Sequence, residues 1–86
     1  MVNQSQWKYN FEIDATGLLC PLPVLKLRKR IKESISGEII KLVTDDPAAI
    51  IDVPHFCSEN KHELLFCENC DDKSNKNYRA FFIKKT

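Results

Sequence analysis

Eighty-six residues, 43% hydrophobic and 29% charged, have the balance of one folded globular domain across 1–86, with too little interior for a second core. The net charge of +1 conceals three blocks: seven bases and four acids in 1–43, one base and eight acids in 44–72, and five bases with no acid in 73–86. That layout lacks the single basic field of a nucleic-acid binder, so no direct stable nucleic-acid binding is expected, and no apolar run approaches a bilayer span.

Met1 to Asn10 lacks the charged-then-apolar order of a secretory leader, which makes the cytoplasm the expected location and the four cysteines thiols rather than a disulfide framework. Tyr9, Phe11 and Ile13 alternate with Asn10, Glu12 and Asp14, the period of a strand with one buried face, ending near Asp14. After a short loop, Cys20 and two prolines open a helix, because first-turn amides have no intrahelical partner and proline lacks only that hydrogen. Val24, Leu27 and Ile31 form its apolar stripe, Lys26, Arg28, Lys29, Arg30 and Lys32 fill its other faces, and Ser36-Gly37 supplies a stop.

Ile39 to Val43 is a β-branched apolar run that reads as a covered strand, and Asp46 before Pro47 resembles the N-cap of a second helix running toward Asn60. Pro54 inside that helix predicts a kink or two short helices. Glu63 to Glu68 and Tyr78 to Lys84 read as two strands of an antiparallel hairpin joined by the polar Asn69 to Asn77. The order is βαβαββ. A right-handed strand–helix–strand crossover then gives an α/β (α+β) two-layer sandwich, a four-stranded mixed sheet with both helices on one face.

Cys20 follows a strand and opens a helix, where the positive helix end favours a thiolate. With Cys20 as N-cap, the facing amides belong to Leu22 and Pro23, and only Leu22 has a hydrogen to donate. With a screened contribution from Lys26 and Arg28, this predicts modest activation, which suits a thiol that must both accept and release a group. A buried cysteine filling a core gap is the alternative on position alone.

The run Gly17-Leu18-Leu19-Cys20-Pro21-Leu22-Pro23 reproduces a Gly-x-x-Cys-Pro-x-Pro signature and resembles the TusA-like (SirA-like) sulfur carriers. Arg28-Lys29, Asp45-Asp46-Pro47-Ala48, Asp52-Val53-Pro54, Phe56-Cys57 and His62-Glu63-Leu64 look like further family features in family order, over roughly residues 9 to 83. The resemblance implies a sulfurtransferase in which Cys20 takes a persulfide from a cysteine desulfurase and relays it to a downstream acceptor protein, commonly toward tRNA 2-thiouridine. It needs no cofactor or metal, and it implies supporting or partner-binding places for Gly17, Pro21, Pro23, Arg28 and Asp45. Arg28 also reads as a solvated charge and Asp45 as a turn residue. Many family members carry an acid between the two prolines, where this chain has Leu22.

Cys67-Glu68-Asn69-Cys70 has the spacing of half a zinc site or a redox pair, which His55, Cys57 or His62 would complete. Residues three apart on a strand face opposite ways, so the pair converges only if the strand turns by Cys70; structural cysteines are the simpler reading. Cys57 reads as core, and His55 and His62 as capping or surface groups. A non-catalytic RNA- or protein-binding regulatory module of the same fold is the alternative function. The ending Ile83-Lys84-Lys85-Thr86 is unlike a Gly-Gly thiocarboxylate carrier, and Cys20 has no second cysteine three residues on, unlike a thioredoxin motif.

Overall fold

The computed structural model describes residues 9–69 and 78–86. The elements are β1 (Phe11–Asp14), α1 (Leu22–Lys32), β2 (Ile39–Thr44), α2 (Ala49–Glu59), β3 (Glu63–Asn69) and β4 (Arg79–Lys84). This is the expected βαβαββ order. The sheet order is β1-β2-β4-β3, with β1 and β2 parallel and the other pairs antiparallel. The connection between β3 and β4 lies outside the described residues. No helix among the described residues is long and apolar enough to cross a membrane.

Alternation along the strands sorts side chains between the two faces of the sheet. Ile40 pairs with Ile83 and Leu42 with Phe81. These four form one buried cluster with Leu27 and Ile31 of α1 and with Ala49, Val53, Phe56 and Cys57 of α2, so both helices cover the same face. On the other face Val43, Ala80 and Phe82 cluster with Ile39, Leu65 and Tyr78. Leu27 and Phe81 are fully buried, and truncating either to Ala costs about 2–5 kcal/mol through lost contacts and a residual cavity.

Four local expectations change in the fold. Tyr9 leaves the alternation of β1 at a bend at Asn10, and its ring meets Phe82 on the face away from the helices, with centroids 6.1 Å apart. Phe11 instead carries the Arg30 guanidinium over its ring at 3.6 Å. Helix α1 ends at Lys32, and Gly37, at φ +93°, turns the chain into β2 rather than capping the helix. The second helix starts at Ala49, and Pro54 neither splits nor ends it. Proline removes one amide hydrogen from the ladder, and the buried Val53, Phe56 and Cys57 on either side of it hold the turn against the sheet.

Cys67 pairs with Phe81 after an irregularity in the β3–β4 register between Leu64 and Phe66, and it is exposed on β3. Cys70 lies outside the described residues, as does any convergence of the two. Among the described residues no three His, Cys, Asp or Glu side chains come together as metal ligands.

Candidate functional site

The parallel β1–β2 pair brings the loops that leave its carboxyl ends side by side, the place where open α/β sheets form crevices. The Ala15 amide continues the pairing by donating to the Val43 carbonyl at 2.8 Å. Beyond it, the chain from Thr16 to Pro21 is tied down by acids. Asp14 accepts from the Thr16 amide and hydroxyl at 3.0 and 2.6 Å, and those bonds, the hydroxyl's first, hold its carboxyl below the usual range. Asp45 accepts from the Gly17 amide at 2.9 Å. Gly17 sits at φ +82°, a left-handed conformation that side chains rarely adopt, with open space where a Cβ would stand. Its requirement is therefore conformational.

Asp46 carries the next two ties. One carboxylate oxygen accepts from the Cys20 amide at 2.5 Å and the other from the Ala48 amide at 3.1 Å, while the Asp46 carbonyl accepts from the Ala49 amide at 3.0 Å. The residue expected as a helix cap thus sits further upstream, with Ala48 at the cap position, and clamps the cysteine loop onto the start of α2. Asp46 is only 7% exposed, so its carboxylate is sheltered and fully engaged.

Cys20 stands exposed at the end of this loop, before the cis bond to Pro21. Pro21, not Cys20, occupies the N-cap of α1, and the Leu22 amide donates to the Leu19 carbonyl at 2.9 Å. The one first-turn donor expected to face the thiol is therefore taken. Pro23, the second helical residue, is buried and anchors the turn.

The charges near Cys20 also differ from expectation. Lys26 lies on another side of α1, beside Glu12 and Asp14, and the exposed Arg28 does not line the cysteine's groove. Asp52, in the first turn of α2, lines the same groove as Cys20. Hydrogen bonding to its carboxylate, desolvation, and the negative charges of Asp52 and Asp46 hold Cys20 above the ordinary thiol range. This direction is opposite to the modest activation expected from the helix start, and its source is the pair of carboxylates.

A groove of about 350 Å³ runs from Cys20 between the helices, with Val24 and Phe56 as apolar lining and Asp52, His55 and Glu59 along the α2 side. His55 Nε2 is 3.9 Å from a Glu59 oxygen, both side chains exposed. Leu19 (69%), Leu22, Leu25, Ile50 and Ile51 (71%) expose large apolar side chains from the same loop and helix beginnings. His62 lies elsewhere, against Thr86 and the Phe56 ring, where burial and the Lys85 charge lower its pKa. Asp46 and Asp52 carry much of the local chemistry and had no site role in the sequence. Their signal was available only once β1 and β2 were paired in parallel.

Fold and site together define a small two-layer α+β domain that presents an exposed cysteine at a helix start. The sequence matches the family of sulfurtransferase TusA over residues 11–85, and the chain belongs to that family of sulfur carriers. Its fold is similar to the crystal structure of a SirA-like protein from Desulfitobacterium hafniense, with a TM-score of 0.69 at 18% identity, covering 87% of this chain and 96% of that one. At that identity the likeness concerns the fold.

Proposed function

We propose that the protein is a persulfide carrier: Cys20 accepts sulfur from a cysteine desulfurase and passes it to an acceptor protein, toward tRNA 2-thiouridine synthesis in the cytoplasm. The observation that carries this reading is an exposed Cys20, on a loop clamped by Asp45 and Asp46, in a chain that matches the sulfurtransferase family from residue 11 to 85. Gly17, Pro21 and Pro23 shape the loop, and Arg28 and Asp45 support partners or the turn.

In the loading step Cys20 gives up its proton and its sulfur attacks the outer sulfur of the donor persulfide. The new S–S bond forms as the donor's own S–S bond breaks, and the donor's inner sulfur leaves with the electron pair and takes up one proton. Delivery repeats the exchange with the acceptor as nucleophile. Sulfur changes owner with no external oxidant, and the step needs neither metal nor organic cofactor.

The test is peptide mass spectrometry after incubation with a cysteine desulfurase and free cysteine. One reducible added sulfur on the Cys20 peptide, absent in Cys20→Ser, is expected. A bare Cys20 with several desulfurases would favour a binding module without sulfur chemistry.

A further inference from the structure

Two carboxylates adjoin the exposed Cys20 thiol and a third lines its groove, an unusual setting for a nucleophile. Asp46 clamps the Cys20 amide from the β2–α2 turn, Asp52 lines the groove with the thiol and is the leading influence on it, and Glu59 stands two turns further along the same groove. Beside them on α2 is His55, whose imidazole already neighbours Glu59, and across the groove is the apolar Val24 of α1. Of the basic side chains of α1, Lys26, Lys29 and Arg30 line a different depression with Glu12 and Glu33, and neither Arg28 nor Lys32 lines this groove. The site therefore has an acceptor for a proton and for positive charge, and the groove lining offers no lysine or arginine to balance it.

We propose that Asp52, supported by Asp46 and Glu59, makes Cys20 selective for partners that present a lysine or arginine beside their own sulfur. This rests on the carrier reading and specifies the partner's chemistry. The carboxylate keeps the free thiol as S–H and repels anionic small thiols, disulfides and persulfides, which protects the carrier from exchange with low-molecular-weight thiols. A basic residue docked onto Asp52 removes both effects at once: it pairs with the carboxylate, releases the thiol hydrogen, and leaves Cys20 free to ionise as its sulfur attacks. The proton given up by Cys20 ends on the departing sulfur of the donor, so the exchange stays balanced. The exposed Leu19, Leu22, Leu25 and Ile51 around the thiol supply an apolar rim for the same protein partner, which a free small molecule would not cover.

The selectivity is measurable without any partner protein. The full chain, reduced, is reacted at pH 7.5 and low salt with cystamine, with 2-hydroxyethyl disulfide and with 3,3′-dithiodipropionate, which are cationic, neutral and anionic. The rate at Cys20 is followed by peptide mass spectrometry and divided by that of a neutral cysteine derivative. The expected preference for the cation over the anion is about tenfold, falling at least threefold in Asp52→Asn and largely lost in 1 M salt, where the screening length is about 3 Å. Glu33→Gln, which lies in the other depression, should leave it unchanged.

No cation preference in the wild type, or one that survives both Asp52→Asn and high salt, would overturn the proposal. Should Asp52→Asn fail to fold, the salt dependence of the wild type decides. Charge selectivity with no desulfurase loading would count against the carrier reading alone, and loading without charge selectivity against this proposal alone.

Discussion

Cys20 and Cys57 are both held above the ordinary thiol range, and they reach that state from opposite surroundings. Cys57 sits 2% exposed on α2 in the main core cluster, where desolvation of the thiolate pushes its pKa up to about 11. Cys20 is exposed, and its shift is led by hydrogen bonding to the Asp52 carboxylate rather than by burial. Burial is permanent while the fold lasts, whereas a carboxylate is neutralised by any docked cation. Cys57 is locked; Cys20 is held in a form that a partner can reverse.

The sharpest way to break this contrast is to remove each sulfur. Cys20→Ser should lose persulfide loading entirely, with stability changed by no more than about 0.5 kcal/mol, as expected for an exposed side chain. Cys57→Ser should load normally and lose about 1–3 kcal/mol, because a hydroxyl replaces an apolar sulfur in a packed interior. Loading assays and urea unfolding on the two variants separate the roles; loss of loading in both would mean that the two cysteines act together.

Next in size is the clamp. Asp46→Ala removes the acceptor of the Cys20 and Ala48 amides, and should cost about 2–3 kcal/mol in chemical unfolding, since charge-assisted hydrogen bonds are worth more than neutral ones. It also withdraws one of the charges that raise the Cys20 thiol, so the pH midpoint for alkylation of Cys20 should move down. A midpoint that stays in place would assign Asp46 to structure alone.

The alkaline limb tests Cys57. Below pH 9 the thiol is protonated in both folded and unfolded chains and contributes no pH dependence. Between pH 9 and about 11 the unfolded chain loses this proton while the folded chain keeps it, so stability falls as pH rises. The loss is on the order of 2 kcal/mol. Comparing Cys20→Ser with Cys20→Ser/Cys57→Ala across this window isolates the effect from lysines and tyrosines, and equal slopes would remove it.

The elements were legible because each carries a strong local period: Ile39 to Val43 as an apolar run, and Leu27 and Ile31 on one stripe of a basic helix. Cys20 was legible as a thiol beside two prolines. Of the kink or two short helices expected at Pro54, the division into two did not occur, since one missing amide hydrogen is a local deficit and the helix is held by its buried face against the sheet. The polarity of the site was misread for a related reason. Lys26 and Arg28 are near Cys20 in sequence, yet helical geometry aims Lys26 toward Asp14, while Asp46 and Asp52 arrive from the far side of the β1–β2 crossover. Sequence distance favoured the wrong sign of charge.

The two ends of α1 make the last and smallest test. At its beginning the N-cap Pro21 makes no side-chain cap bond and the adjoining Cys20 faces acids; at its end the Lys85 ammonium donates to the Ile31 and Ser34 carbonyls at 2.8 and 2.7 Å. A cation there meets the negative end of the helix and adds a donor to the Ser34 carbonyl and to the Ile31 carbonyl, which also accepts from the Ser34 amide at 3.0 Å. Lys85→Met keeps the length and apolar stem and removes only the donor, so it should lower stability by about 1 kcal/mol and leave the Cys20 charge preference untouched. A change in that preference would mean that the helix transmits charge along its length to the thiol. No change, with the stability loss, leaves the carboxylates at the groove as the local source of the Cys20 setting.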